Sequence, residues 1–172
     1  MIYYNYYTSP IGLMLLVADD IGLRKVEFVE KILDAEALNK IEKTSALGFS
    51  NSKVIEFCID ELTLYFNKKL THFTSPLSLK GTNFQIGVWN ELVKVPFGLT
   101  QSYLQQARKL QNEKGIRAVA KANGSNPIAI IVPCHRIIGS NGQLTGYAGG
   151  LWRKKWLLKH EGVLKSEQLN LF

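Results

Sequence analysis

The first thirty residues alternate apolar and polar positions with the period of two that marks β-strands, in three runs separated by turn signals. Residues 2–8 make the first run, Ser9-Pro10-Ile11-Gly12 a turn, 13–18 the second run, Asp19-Asp20-Ile21-Gly22 a turn, and 23–29 the third. The pattern predicts a three-stranded meander. The period then lengthens. Residues 34–43 predict a short helix, and 52–67 a longer one, because Ile55, Cys58, Ile59, Leu62 and Phe66 recur at helical spacing. Cys58 on that face reads as core packing. Pro76-Leu77-Ser78-Leu79-Lys80-Gly81-Thr82 has the composition of a linker.

Beyond residue 83 the pattern is mostly helical. Phe84, Val88 and Leu92 share a face, and that helix stops before Pro96. Ser102 is placed to cap a helix running to Leu110, Asn112-Glu113-Lys114-Gly115 is a turn, and 116–122 predicts a second short helix. Two helices joined by a short glycine-containing turn make a helix-turn-helix. Arg117 and Lys121, four apart, lie on one face of the second helix. Asn126-Pro127 ends it. The apolar run 128–132 then predicts a short buried strand with Pro133-Cys134-His135-Arg136 at its mouth, followed by the turn Gly139-Ser140-Asn141-Gly142. Residues 149–160 predict a last helix, with Arg153, Lys154 and Lys155 near its start and Glu161 just past its end. The expected class is mixed α/β (α+β), divided into 1–80, 84–165 and a tail at 166–172.

Composition narrows the possibilities. Hydrophobic content of 46% and charged content of 20% suit a soluble globular protein, and no apolar run reaches the ~20 residues of a membrane span. Met1-Ile2-Tyr3-Tyr4-Asn5 does not read as a signal peptide. Cys58 and Cys134, the only two cysteines, cannot build a disulfide scaffold, and a reactive thiol survives best in a reducing cytoplasm. His72, His135 and His160 are too scattered for zinc-ligand spacing, so no metal or cofactor is expected. Residues 1–83 hold nine Lys/Arg and ten Asp/Glu, a net of −1; residues 84–172 hold twelve and four, a net of +8. A cationic excess confined to one half points to a polyanion, and to nucleic acid first.

Cys134 sits beside a histidine and an arginine. Positive neighbours lower a thiol pKa, and the thiolate is the nucleophile. Taken alone, the pair also fits a buried structural cysteine. The flanking residues favour chemistry. Phe84-Gln85 with Val88-Trp89, Val95-Pro96-Phe97-Gly98, Ser102-Tyr103, Arg117-Ala118-Val119, Asn126-Pro127, Val132-Pro133-Cys134-His135-Arg136, Leu144-Thr145-Gly146-Tyr147-Ala148-Gly149-Gly150 and Leu157-Leu158 with Glu161-Gly162 occur in this order. In that order and spacing, residues 84–162 resemble the C-terminal domain of the O6-alkylguanine-DNA alkyltransferases, also called methylated-DNA–protein-cysteine methyltransferases. The N-terminal third resembles that family's small ribonuclease-H-like domain through Ser9-Pro10-Ile11-Gly12 and Gly22-Leu23.

The resemblance implies direct, single-turnover DNA repair. Cys134 takes the alkyl group from O6 of guanine in double-stranded DNA. His135 acts through a water and is held by Glu161. Asn126 braces the turn between the DNA-reading helix and the Pro-Cys-His-Arg active strand. The target base must leave the stack, and the resemblance implies that Arg117 fills the gap while Tyr103 turns the adjoining phosphate and donates to the base. Ser102, Ala118, Lys121 and Arg136 complete the implied DNA surface. Tyr147, Ala148, Gly149, Ile137, Ala129 and Val132 complete the implied base pocket. Without the resemblance, Glu161 reads as a helix-end carboxylate, Arg117 as a solvated arginine and Tyr103 as a half-buried aromatic.

Some positions depart from the family pattern. Ala148 replaces a serine of some members and Ala129 a proline, which suggests a roomy pocket open to bulkier alkyl groups or O4-alkylthymine. Gly115 and Lys121 are atypical near the DNA-reading helix. Two other classes compete: a damage-flagging relative, which lacks the acceptor cysteine, and a cysteine hydrolase, for which no oxyanion motif is visible. A monomer is expected. The C-terminal Gln168-Leu169-Asn170-Leu171-Phe172 lies beyond the family domain and resembles the peptide with which bacterial repair proteins dock onto the sliding clamp. A tail that buries Leu171 and Phe172 on its own domain fits equally well.

Overall fold

A computed structural model describes residues 1–42, 47–49 and 52–164. The chain divides into two compact units, the first Met1–Leu79 and the second starting at Lys80.

The first unit is a four-stranded sheet with a helix on each face. β1 (Ile2–Ser9), β2 (Gly12–Ala18) and β3 (Leu23–Phe28) form the expected antiparallel meander. β4 (Leu47–Phe49) adds a parallel edge strand to β1, which the sequence pattern did not reveal. β2 is central, and Met14 through Ala18 are all fully buried, so it reads as a continuous apolar run. Leu15 and Val17 pack with Leu38 of α1 (Ala35–Glu42), flanked by Tyr4 and Tyr6. Tyr7, on the opposite face of β1, stacks on Phe66 of α2 (Lys53–Phe66). The buried stripe of α2 is rotated from the expected one: Ile55, Cys58, Leu62 and Tyr65 are buried, with Glu61 among them, while Ile59 and Phe66 are only half-buried. Glu61 is tolerated because four donors surround it: Thr74 and Ser75 give it both their backbone N–H and hydroxyl groups at 2.7–2.9 Å. Burial pushes its pKa up, but these hydrogen bonds outweigh it and hold the carboxyl below its ordinary value.

The expected linker is partly structure. Leu23 N–H donates to Pro76 O, Ser78 N–H donates to Leu23 O, and Ser78 Oγ donates to Asp19, so residues 76–78 run along β3. Gly22 has no room for a side chain, because a Cβ would lie 2.6 Å from Pro76 O.

The second unit begins with α3 (Asn83–Val93), whose first turn is closed by a Thr82–Gln85 capping box. α4 (Tyr103–Lys109) starts at Ser102, the expected cap, in a second capping box with Gln105. Gln111 adopts φ +54, and its N–H and that of Asn112 return to Arg108 and Ala107, which ends the helix. A single 3-10 turn, Glu113–Gly115, leads into α5 (Ile116–Gly124). α4 and α5 are locked by a buried amide pair, Gln106 and Asn123, each donating to the other at 3.1 and 2.6 Å. Trp89 of α3 donates its indole N–H to Ala122 O at the end of α5. β5 (Gln101–Ser102) pairs in parallel with β6 (Ile137–Ile138), tying the start of the helix-turn-helix to the residues just after Cys134. α6 (Leu151–His160) closes the described part of the unit.

The stretch before Cys134 is a correction to the sequence reading. Residues 128 and 130–132 are buried and Ala129 is half-buried, but the stretch forms turns, and Cys134–Arg136 is one turn of 3-10 helix rather than a strand. The chain bonds to itself: Val132 N–H returns to Ile128 O, and Ile130 takes φ +71. Asn126 supplies the remaining partners, accepting from Ile128 N–H at 3.0 Å and donating to Val132 O at 2.7 Å. A β-branched residue at positive φ is rare, and it is held here because Ile130 is fully buried.

Candidate active site

The tight turn sets Cys134 half-buried at the wall of a cavity of about 540 Å³ within the second unit. α4 and α5 supply Tyr103, Ile116, Arg117, Ala120, Asn123 and Gly124 to its lining, and the loop before α6 supplies Thr145 through Ala148. The space and its mostly apolar walls suit a small planar ligand with few polar edges.

Behind the cysteine lies a buried charge network. Glu161, the C-cap of α6, is 5% exposed and meets His135 Nε2 at 2.7 Å through Oε1. Arg136 donates to both carboxylate oxygens, at 2.9 and 3.0 Å, and to Val95 O at 2.6 Å. Gly98 N–H adds a weaker bond at 3.3 Å, and its φ of +76 favours glycine there. The Val95-Pro96-Phe97-Gly98 segment therefore feeds backbone groups to both partners of the ion pair. Burial opposes the charge on Glu161, but His135 and Arg136 hold its pKa down at about 2. Because Glu161 is ionised, His135 donates from Nε2. Burial lowers the His135 pKa despite Glu161, so the imidazole is neutral. Its Nδ1 is then an acceptor, buried and without a partner among the described residues. On a 3-10 turn successive side chains diverge by about 120°, so His135 does not bond its neighbour Cys134 directly.

The thiol itself is not what the sequence suggests. Burial pushes the Cys134 pKa up, and the hydrogen bond from Asn126 and the charge of Lys154 offset this only in part. Arg136 contributes little, because its guanidinium is turned into the pair with Glu161. Burial therefore opposes the activation expected from adjacent positive charge, and the His135 imidazole stands behind the thiol as a base.

Lys154 is a site residue that the sequence does not single out. It is fully buried, and its ammonium donates to Ile137 O at 2.5 Å, Thr145 O at 2.9 Å and Gly146 O at 3.3 Å. Tyr103 donates to the same Thr145 carbonyl at 2.9 Å. Both side chains thus hold the loop that forms one cavity wall. Burial depresses the Lys154 pKa to about 8, against a smaller opposing effect of Cys134. A lysine near the start of a basic helix gives no sequence signal of burial.

Other expected site residues divide clearly. Tyr103, Arg117, Tyr147 and Ala148 line the cavity with Cys134. Asn126 sits behind it, bonded to both ends of the turn from Ile128 to Val132. Ala118 and Lys121 are exposed on α5, and Ser102 caps α4. Three groups differ. The resemblance assigns Arg136 to the DNA surface, but it is 5% exposed with its guanidinium committed to Glu161 and Val95. It assigns Val132 and Ile137 to the base pocket, but they are fully buried in the core behind it. Ala129 and Gly149 do not line the cavity either. Gln168, Leu169, Leu171 and Phe172 lie outside the described residues.

Two family models cover nearly all of the chain: 6-O-methylguanine DNA methyltransferase, ribonuclease-like domain, over residues 2–79, and the DNA binding domain of the same family over residues 83–163. The chain belongs to the O6-methylguanine DNA methyltransferase family. A methylated-DNA–protein-cysteine methyltransferase of Methanosarcina acetivorans is 44% identical over 160 residues, covering 93% of this chain and 98% of that protein. The crystal structure of Mycobacterium tuberculosis O6-methylguanine methyltransferase superimposes with a TM-score of 0.81 at 38% identity, covering 100% of this chain and 99% of the other. M. tuberculosis OGT in complex with DNA gives 0.80 at 36% identity, covering 96% of each chain. Among the described residues no helix is long and apolar enough to cross a membrane, and no cluster of three His, Cys, Asp or Glu could hold a metal ion.

Proposed function

We propose that this protein repairs DNA directly, moving the alkyl group of O6-alkylguanine onto the sulfur of Cys134 once per molecule. The observation that carries this reading is a half-buried cysteine on a cavity wall, beside a neutral histidine held by an ionised glutamate, in a chain of this family. The Sγ–carbon bond forms as the carbon–O6 bond breaks. A water passes the thiol proton to His135 Nδ1, where Glu161 stabilises the imidazolium. Guanine keeps the electron pair on oxygen and leaves in its ordinary form after taking up a proton. A raised thiol pKa fits this order, since the proton leaves as attack proceeds and no reactive thiolate waits in solvent.

The thioether is stable, and no second thiol lines the cavity. Cys58 is buried in the core of the first unit, and burial pushes its pKa up too. One molecule therefore acts once. The duplex must release its base to reach Cys134. Arg117, exposed at the cavity rim, is the side chain for the vacated stack, with Lys121 and Ala118 beside it on α5. The relative solved in complex with DNA supports DNA as partner. Ala148 puts a methyl where some members have a serine hydroxyl, which favours bulkier alkyl groups and O4-alkylthymine.

Domain bounds of 1–80 and 84–165, a monomer in the cytoplasm and clamp docking through Gln168, Leu169, Leu171 and Phe172 complete the proposal. A peptide of residues 165–172 should bind a bacterial clamp at about micromolar Kd, and Leu171→Ala with Phe172→Ala should remove that binding; no binding by the intact protein at about millimolar concentration defeats the docking idea. For the reaction, Arg117→Ala should slow transfer from a duplex far more than from free O6-alkylguanine, which needs no extrusion. Equal slowing on both substrates removes Arg117 from that role.

A further inference from the structure

The loop wall of the Cys134 cavity runs directly into an exposed apolar pair. Leu151 and Trp152 open α6 with 49% and 56% of their surface in water. They follow Tyr147 and Ala148, which line the cavity. The Trp152 ring is held in place. The Arg153 guanidinium sits 4.5 Å from its ring centroid. Arg153 is itself tied back to the loop through Gly149 O at 2.8 Å. A large aromatic ring, fixed by its neighbours and left in water, is organised for a partner. The surrounding charge says which kind: residues 84–172 carry a net of +8, and Arg117 stands exposed on the α5 side of the same cavity. A cationic surface with an ordered aromatic is the composition that stacks nucleobases.

We infer that Trp152, backed by Arg153, extends the DNA surface across the loop side of the cavity and stacks on a nucleobase beside the extruded guanine. The inference rests on the repair reading. It gives the cavity two rims of different chemistry: Arg117 on α5, and an aromatic platform at the start of α6. The platform would steady the distorted strand while the guanine is in the cavity.

The test uses full-length protein carrying Cys134→Ser, so that binding is read without transfer, and a short duplex containing O6-methylguanine. Trp152→Ala should weaken binding about tenfold, and Trp152→Phe should restore most of it, because a ring still stacks. The salt dependence of binding should keep its slope, since stacking releases no counterions. DNA should quench tryptophan emission, and the quench should vanish in Trp152→Phe, because Trp89 is buried and Trp156 is stacked on His160. Unchanged affinity in Trp152→Ala, a quench that survives Trp152→Phe, or a slope lowered by about one would each overturn the inference. The repair reading is tested separately, by whether wild-type protein gains alkyl mass from the same duplex.

Discussion

Among the described residues each unit of this protein pairs one cysteine with one buried glutamate, and the two pairs have opposite characters. In the first unit, Cys58 is sealed in the face of α2 and Glu61 is satisfied by four neutral donors from Thr74 and Ser75. In the second, Cys134 meets a cavity, and Glu161 is satisfied by an arginine and a histidine. Hydrogen bonds from backbone and hydroxyl groups fix a carboxylate and stop there. A histidine partner leaves a second ring nitrogen free to take a proton. Burial of a carboxylate alone therefore says nothing about chemistry; what matters is whether one of its partners can pass a proton on.

The largest effects should come from cutting the second pair. Glu161→Ala leaves Arg136 buried and uncompensated, so stability should fall by about 3–5 kcal/mol in chemical denaturation, and transfer should fall with it. If Glu161→Ala melts like wild type, the ion pair is not what holds the site. The first pair is built from neutral donors, and Glu61→Ala should cost about 2–3 kcal/mol while the folded protein transfers at the wild-type rate. A transfer defect in Glu61→Ala at full occupancy of the fold would break the contrast between the units.

Acid should expose the same contrast. Folding lowers the Glu161 pKa from 4.5 to about 2. Its stabilisation is therefore complete above about pH 4.5 and is lost as pH falls towards 2, an effect of about 3 kcal/mol. Glu161→Gln should flatten the stability profile between those values, and a profile of unchanged slope there would contradict the assignment. Lys154 has the same sign at the alkaline end, where stability again rises with pH. Its folded pKa of about 8 lies below its ordinary 10.5, so its proton costs stability below pH 8 and that cost is relieved as pH rises to 10.5. Lys154→Met should remove this alkaline gain relative to wild type, and should loosen the loop from Thr145 to Gly146.

The smallest expected effect concerns the two thiols. A thiol reagent should label Cys134 in the folded protein and reach Cys58 only on unfolding, and Cys58→Ala should cost about 1 kcal/mol with transfer intact. Labelling of both at similar rates would mean that the first unit opens far more readily than its burial implies.

Much of this was legible in the chain. The period of two marked the three strands of the meander, and Ser102 marked the start of α4 because a capping serine has a specific job there. The features that stayed hidden share a cause. Residues 128–132 are uniformly apolar, so no period separates a strand from a buried turn, and the bonds that decide it come from the Asn126 side chain. β4 pairs in parallel with β1, a long-range choice that three residues cannot encode. Arg136, Lys154 and Glu61 carry charges that normally face water. Only their tertiary partners reveal why they do not: Glu161 for Arg136, the Ile137 and Thr145 carbonyls for Lys154, and Thr74 with Ser75 for Glu61. The motif placed Cys134, His135 and Glu161 together because it carries chemistry; it could not show that Arg136 serves the glutamate rather than the DNA.

The central claim is that Cys134 accepts the alkyl group and keeps it. Wild-type protein should be incubated with a duplex containing one O6-methylguanine, and its intact mass and peptides measured. One methyl should replace one hydrogen, on the peptide carrying Cys134, with no further gain when fresh duplex is added; repaired guanine should appear in equal amount. Loss of the lesion without a mass gain, or a methyl on Cys58, would contradict the account.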